Sequence, residues 1–276
     1  MDEKVITAAV VQLCARQDVT ENLNKSESLV EQAAAQGAQL VVLPENFPYI
    51  GRLAEKVRLA EPLSQDAPGP VLGRMARLAR RLGIHLLLGG VPIRSSERDK
   101  FFNTAVLLDP DGVIRASYRK IHLFDINIPG GAVFTESDHV LPGDAPVTTE
   151  VLGATLGFSI CYDLRFPELY RELARRGSTI VVVPAAFTLH TGKDHWFPLL
   201  RARAIENQVY VLAAAQHGRH TEQRTSYGKA CIIDPWGAVL AQCPDTDGVA
   251  LARLDLGYLG RVRRELPCLE HRRLGG

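Results

Sequence analysis

The sequence predicts an α/β protein folded as a four-layer α-β-β-α sandwich with an internal pseudo-two-fold, and three observations carry that prediction. Gly37-Ala-Gln-Leu-Val-Val-Leu-Pro44 and Gly177-Ser-Thr-Ile-Val-Val-Val-Pro184 repeat one pattern, in which a helix meets a glycine stop and an apolar strand ends at a proline. Thr104-Ala-Val-Leu-Leu-Asp-Pro-Asp-Gly112 and Lys229-Ala-Cys-Ile-Ile-Asp-Pro-Trp-Gly237 each set Asp-Pro-x-Gly between apolar runs, which is turn chemistry and marks a hairpin. Apolar strands alternate with amphipathic helices in both halves, and two such halves satisfy their strands by packing sheet on sheet with helices outside.

Taken in order, apolar runs with strand character fall at 5–13, 39–44, 84–91, 102–108, 112–118, 154–160, 178–184, 209–215, 227–233, 237–242 and 247–253. Helical periodicity covers 21–36, 70–82, 166–176 and 196–207, and Pro167 with Glu168 marks the entry of the third helix. Each half therefore reads β-α-β-α-β-hairpin. The stretch 121–146 is rich in Gly, Pro and aromatic residues and reads as a long irregular loop of the functional kind. No Gly/Ser/Pro-rich linker divides the chain, so residues 1–276 are expected to form a single domain. The apolar C-terminal segment from about 256, Leu256 to Leu269, is a candidate for an oligomer interface.

Composition excludes several function classes. The 276 residues are 46% hydrophobic and 23% charged, the balance of an ordinary globular chain rather than a disordered one. A net charge of +1 gives no clustered positive field for nucleic acid or an anionic membrane. No apolar run approaches the roughly 18–20 residues of a membrane-spanning helix; the longest, Ile180 to Leu189, is interrupted by Pro184. The N-terminus opens on Asp2, Glu3 and Lys4 without the features of a signal peptide, and a cytoplasmic location is expected. Cysteines 14, 161, 231, 243 and 268 are scattered with no C-x-x-C, which argues against a disulfide framework and a zinc site. His122, His139, His217 and His220 lack metal-ligand spacing.

Three residues at strand ends are candidates for chemistry. Glu45 emerges after Pro44 at a sheet edge, where its carboxyl pKa could be raised, although alone it reads more readily as a solvated loop residue. Lys120 opens the long loop, and an isolated Arg119-Lys120 pair is also ordinary surface charge. Cys161 stands between a strand and a helix entry, a geometry expected to lower a thiol pKa; the alternative is a small buried hydrophobe, as for Cys14 and Cys231. The internal echo makes Pro44-Glu45 and Pro184-Ala185 equivalent positions, which places a site at the junction of the halves.

Leu-Pro-Glu45-Asn, Tyr-Arg-Lys120-Ile-His-Leu-Phe-Asp and Ile-Cys161-Tyr-Asp-Leu-Arg-Phe-Pro-Glu resemble, in order and spacing, the three signature blocks of the nitrilase or carbon–nitrogen hydrolase superfamily, and the resemblance spans about residues 5 to 273. It implies a nitrilase-like fold and a Glu-Lys-Cys amidase with Cys161 as nucleophile, Glu45 as general base and Lys120 holding the tetrahedral intermediate. Glu136, in Pro-Gly-Gly-Ala-Val-Phe-Thr-Glu-Ser, matches the acidic residue that supports the lysine. Ala213-Ala-Ala-Gln-His-Gly-Arg-His220, Ser226-Tyr-Gly228, Asp234-Pro-Trp-Gly237, Leu266-Pro267 and His271-Arg-Arg273 resemble the branch acting on deaminated glutathione. The ω-amidase branch, acting on 2-oxoglutaramate, shares the triad without the Gln-His-Gly-Arg-His stretch. Lys193-Asp194 departs from the smaller, less charged pair usual in the branch.

The implied reaction is hydrolysis of a small carboxylated amide through a Cys161 thioester, with ammonia as the leaving group and the backbone N–H of Tyr162 beside Lys120 at the oxyanion. Arg165, four residues past the nucleophile, is a candidate clamp for a substrate carboxylate or a helix-start ion-pair partner. Phe187, Thr191, His195 and Trp196 are candidate walls of the acyl pocket, with core packing the alternative for Trp196. No metal or organic cofactor is implied. The expected partners are a small-molecule amide and further copies of the chain, as a homodimer or larger homo-oligomer, with no nucleic acid and no membrane. A non-catalytic binding scaffold and a thiol redox protein using Cys161 are the competing classes.

Overall fold

The computed structural model describes residues 4–127 and 133–274. Its first half runs β1 (Val5–Leu13), α1 (Val19–Ala35), β2 (Leu40–Val42), α2 (Leu53–Leu59), α3 (Pro70–Leu82), β3 (His85–Arg94), β4 (Phe101–Leu108) and β5 (Ile114–Arg119). A hairpin of β6 (Asp125–Asn127) and β7 (Val133–Thr135) and a 3-10 turn at Glu136–Asp138 follow. The second half runs β8 (Thr148–Val151), β9 (Ala154–Phe158), a 3-10 turn at Cys161–Arg165, α4 (Pro167–Arg175), β10 (Ile180–Val182), α5 (Leu189–Asn207), β11 (Tyr210–Ala213), β12 (Ala215–Arg219), β13 (Thr225–Tyr227), β14 (Cys231–Ile233), β15 (Val239–Gln242), β16 (Gly248–Asp255) and α6 (Leu256–Glu265).

The expected pseudo-two-fold is present strand for strand. One sheet contains β1-β2-β3-β4-β5 in that order and the other contains β9-β10-β11-β14-β15. In both, the first three strands pair in parallel and the last two form the antiparallel hairpin. The Asp-Pro-x-Gly turns are superposable in their bonding: Asp109 N–H donates to Val113 O and Asp234 N–H to Ala238 O, each at 2.9 Å. The Asp109 carboxylate accepts from the Val113 N–H and that of Asp234 from the Ala238 N–H, each at 2.8 Å. Gly37 and Gly177, at φ 88° and 87°, supply the left-handed residue that lets each helix turn into its strand.

Period-two alternation sorts the first sheet into two faces. Ile6, Ala8, Val10, Leu40 and Val42 face the second sheet, whereas Ala9, Val11, Leu13, Val41 and Leu43 face α1 and α3. The second sheet is covered on its outer side by Leu169, Tyr170 and Leu173 of α4 and by Trp196, Leu200 and Ala204 of α5. Four layers result, each large side chain contributing roughly 1.5–3 kcal/mol by full burial. Where the halves meet, a Cβ on Gly89 would strike Leu43 O and Pro184 Cβ and lie 2.7 Å from the Pro44 carbonyl carbon, so the two prolines of the echo approach through a residue without a side chain.

The structure departs from sequence expectation in several places. The stretch 121–146 is not wholly irregular, because it carries the β6–β7 hairpin and the 3-10 turn. Helix α5 begins at Leu189 rather than 196: Thr188 caps it, and Pro198 sits inside it where the apolar periodicity is broken. Leu256 to Leu269, given no helix by its periodicity, is helical as far as Glu265, with Leu259 and Val262 buried, Leu266 exposed, and Arg263 donating to Gln208 O and Ser178 O. Finally, β12, β13 and β16 leave the second half and join the first sheet beside β1.

Candidate active site

Glu45, Lys120, Glu136 and Cys161 come together at the junction of the two sheets, from four separate chain segments. Glu45 follows β2, Lys120 follows β5, Glu136 opens its 3-10 turn and Cys161 follows β9. Lys120 Nζ lies 3.1 Å from Glu45 Oε1 and 2.8 Å from Glu136 Oε2, with all three side chains buried. Glu136 Oε2 also accepts the Phe124 N–H at 2.7 Å, which fixes the carboxylate from the loop side. Glu45 is held from three directions: Asn103 Nδ2 donates to Oε1 at 2.9 Å, the Ala186 N–H donates to Oε2 at 3.0 Å, and Gln216 Nε2 donates to its backbone carbonyl at 3.1 Å. Ala186 belongs to the second echo strand's exit and Asn103 to β4, so both halves position one carboxylate.

The electrostatics assign protonation states. Burial pushes the Glu45 carboxyl up, but the Lys120 ammonium and a hydrogen bond from the Cys161 thiol outweigh it and hold Glu45 below the ordinary carboxylate range. Burial likewise opposes the Lys120 charge, and Glu136 followed by Glu45 overcomes it, holding Lys120 protonated well above an ordinary lysine. Burial and then the Glu45 charge push the Cys161 thiol far up. This corrects the expectation of a lowered thiol pKa. A five-residue 3-10 turn, not a helix, starts at Cys161, and burial followed by the neighbouring carboxylate raises the thiol. The expectation of a raised Glu45 pKa is corrected too, since Lys120 stands against it. The resting site thus sets a neutral Cys161 thiol beside an ionised Glu45, an arrangement that can pass the thiol proton to the carboxylate.

Cys161 sits at φ 49°, a left-handed conformation sharp enough to turn its side chain out of the strand, and its N–H donates to Pro184 O at 2.9 Å. The turn is tied down by Asp163, which is fully buried and absent from the sequence-derived candidates. Its Oδ2 accepts from the Ile160 N–H at 2.9 Å and Tyr118 OH at 2.7 Å, and its Oδ1 meets the His122 N–H at 3.0 Å and His122 Nδ1 at 2.7 Å. Asp163 therefore couples the Cys161 turn to the segment that carries Lys120. Its signal lay inside the Cys161 block, two residues past the thiol.

The remaining candidates divide. Tyr162 packs edge-on to Phe124 at 5.1 Å and to Phe166 at 5.3 Å. Arg165 lies over the rings of Phe187 and Tyr162, 5.1 and 5.8 Å from their centroids, and hydrogen-bonds His195 Nδ1 at 3.2 Å. Tyr162, Arg165, Phe187 and His195 thus form one contiguous rim. Thr191 is engaged with Thr188 Oγ1 at the start of α5, and Trp196 is fully buried with its Nε1–H on Lys229 O at 2.9 Å. Trp196 reaches the rim only by packing behind Phe187, 5.2 Å between centroids, so core packing is its observed role rather than a pocket wall. Lys193 and Asp194 are exposed on α5.

A family profile for carbon–nitrogen hydrolases matches residues 7–264. The chain belongs to the carbon–nitrogen hydrolase family. It is 46% identical over 272 residues to the deaminated glutathione amidase of Synechocystis sp. (strain PCC 6803 / GT-S), covering 98% of each chain. It is 45% identical to the Homo sapiens deaminated glutathione amidase over 272 residues, covering 96% of this chain and 81% of that one. Among solved structures it resembles the Caenorhabditis elegans NitFhit protein with a TM-score of 0.91 at 40% identity, over 99% of this chain and 66% of that one. It also resembles an amidase variant from Nesterenkonia sp. AN1, captured with the acetamide moiety of fluoroacetamide covalently added to its active-site cysteine, with a TM-score of 0.78 at 28% identity over 96% of each chain. This carbon–nitrogen hydrolase is a nitrilase-fold enzyme of the amide-hydrolysing kind. Among its described residues no helix is long and apolar enough to cross a membrane.

Proposed function

We propose that this hydrolase is a deaminated glutathione amidase that works through a Cys161 thioester, and the observation that carries the mechanism is the buried cluster that gathers Cys161, Glu45 and Lys120, with Lys120 Nζ 3.1 Å from Glu45 Oε1. Cys161 Sγ attacks the γ-amide carbonyl carbon as its proton passes to Glu45, while the Lys120 ammonium and the Tyr162 N–H face the oxyanion. Glu45 then gives that proton to the departing amine as the C–N bond breaks. Water attacks the thioester, Glu45 takes a proton from it, and Cys161 leaves as the thiol after recovering that proton. Glu136 acts through Lys120, which it holds at 2.8 Å.

The leaving group needs a correction. Deaminated glutathione contains no primary carboxamide, so cleavage of its γ-amide frees the amine of cysteinylglycine, and release of ammonia belongs to the 2-oxoglutaramate alternative. The relatives that are 45–46% identical over most of their length support deaminated glutathione. The rim of Tyr162, Arg165, Phe187 and His195 suits the charged dipeptide portion. The same reading takes the chain as one domain that assembles as a homo-oligomer in the cytoplasm. Five cysteines that are all free fit a reducing compartment.

The test is parallel turnover of deaminated glutathione and 2-oxoglutaramate by the purified protein and by Cys161→Ala, reading cysteinylglycine and ammonia respectively. Preference for deaminated glutathione with a silent Cys161→Ala is expected. Preference for 2-oxoglutaramate would move the enzyme to the ω-amidases, and turnover by Cys161→Ala would remove the thioester.

A further inference from the structure

Two cations beside the catalytic cluster have no anionic partner among the described residues. Lys56 is the one buried side chain of α2, only 3% exposed. Its Nζ donates to Asn46 Oδ1 at 2.6 Å, and among the described residues that is its single hydrogen bond, which leaves two N–H donors unused. Asn46 directly follows Glu45 and adopts a left-handed φ of 59°, so the ammonium is brought up beside the general base. It lies within electrostatic reach of Glu45, Glu136, Lys120 and Arg224, yet Glu45 and Glu136 are both committed to Lys120. The Arg224 guanidinium lies 5.5 Å from the ring centroid of Phe134, in the strand that leads into Glu136, and is without an ion pair or side-chain hydrogen bond among the described residues. Its charge is felt by Glu45 as well as by Lys56.

We infer that Lys56 and Arg224 form an anion subsite beside Glu45 that seats the carboxylate at the far end of the substrate's acyl group. The inference rests on the proposed 2-oxo acyl substrate. Burying a lysine with one neutral acceptor is unfavourable, and here burial followed by the nearby Arg224 pushes Lys56 down to about 7. An incoming carboxylate supplies the missing partner, restores the full charge and occupies the free donors. Depth decides which end of the substrate binds here. The acyl group stays on Cys161 through the thioester stage and must be enclosed, whereas the amine must leave. Lys56 is enclosed, and Arg165, half-buried on the rim against Tyr162 and Phe187, faces the leaving portion. The competing role for Lys56 is to brace Asn46 and hence Glu45, with no contact to substrate.

Calorimetric titration of 2-oxoglutarate, the acyl product, separates the two. Wild-type protein should bind it, and Lys56→Met, which keeps the aliphatic stem, should weaken binding by roughly 10- to 100-fold, the loss of one charged hydrogen bond. Arg224→Gln should weaken binding in the same direction, and because Arg224 is half-exposed this variant tests the subsite even if Lys56→Met does not fold. Arg58→Gln, on the outer face of α2 with its side chain 79% exposed, should leave binding unchanged. With 2-oxoglutaramate, Lys56→Met should raise KM far more than it lowers kcat. A brace for Asn46 would instead lower kcat and leave 2-oxoglutarate affinity intact. Unchanged 2-oxoglutarate affinity in Lys56→Met or in Arg224→Gln, weakened cysteinylglycine affinity in its place, or no wild-type binding at about 10 mM would each overturn the subsite. Lys56-dependent binding in a protein that cleaves neither amide would leave the subsite standing and sink the proposed substrate instead.

Discussion

Replacing Glu136 by glutamine removes one negative charge from the buried cluster while nearly preserving its shape. The glutamine carbonyl oxygen can still accept from Lys120 Nζ and the Phe124 N–H, which lie 2.8 and 2.7 Å from Glu136 Oε2. What disappears is the ionic part. Two unit charges 2.8 Å apart attract by about 6 kcal/mol at an effective dielectric of about 20. Much of that is offset because a buried carboxylate no longer needs desolvating. Since Lys120 keeps Glu45, the net cost should fall at the low end of breaking a buried pair, about 3 kcal/mol. For a chain of this size that corresponds to a fall in Tm of about 6–12 °C, readable by differential scanning calorimetry. Turnover should change in a characteristic way. Lys120 is less firmly aimed, so kcat should drop about 10- to 100-fold, less than for outright loss of an oxyanion donor. The cluster of two carboxylates and one ammonium becomes neutral, so KM for an anionic substrate should fall. If Tm moved by less than about 2 °C and kcat stayed within about twofold, Glu136 would not be what holds Lys120, and the assignment of its role would fail.

Three further outcomes follow from the same geometry. Asp163→Ala strands the buried donors of Ile160, Tyr118 and His122 and should cost about 4 kcal/mol or more in urea unfolding; an unchanged midpoint would dismiss Asp163 as the tie between Cys161 and the Lys120 segment. Gly89→Ala forces a methyl group into Leu43 O and the Pro184 ring, and it should destabilise by at least about 3 kcal/mol with a parallel fall in kcat, because Glu45 is the next residue but one along from Leu43; a fully active, stable variant would show that the halves can part without harm. In pH profiles, a base whose pKa is depressed stays ionised as pH falls, so kcat at saturating substrate should remain level from about pH 8 to about pH 5 and decline only below the ordinary carboxylate range. An acid limb near neutrality would mean that Glu45 starts out protonated.

The halves and their hairpins were legible because each is local. A glycine stop, four apolar residues and a proline, or Asp-Pro-x-Gly between apolar runs, are complete within ten residues of sequence, and α3 has the bounds its periodicity predicts. Glu45, Lys120, Glu136 and Cys161 were legible for a different reason, since each stands in a block whose order identifies it. What escaped depends on tertiary neighbours. Asn103 and Lys56 are polar residues in unremarkable contexts, and only folding brings Asn103 Nδ2 to Glu45 or Lys56 to Asn46. Helix α2 escaped because its seven residues bury a lysine instead of an apolar stripe. The direction of the Cys161 pKa differs from expectation because the thiol's strand-to-turn setting can be read from sequence, whereas its burial, and the Glu45 carboxylate that arrives from 116 positions away, cannot. Trp196 shows the same limit, its burial decided by Lys229 and Phe187 rather than by its own neighbours in sequence.

The pairing of β16 with β1 along eight consecutive positions, Val5 opposite Asp255 through Gln12 opposite Gly248, closes the chain end to end. A nascent chain emerging from the ribosome therefore cannot finish its first sheet until β16 has been synthesised. The base after β2 waits alongside, since Ala186 and Gln216, which orient Glu45, are also translated late. Truncated or stalled products would carry Glu45 without the groups that orient it. Hydrolytic competence is thereby tied to the synthesis of β16, and two separately expressed halves should regain it only by reassembling across β1.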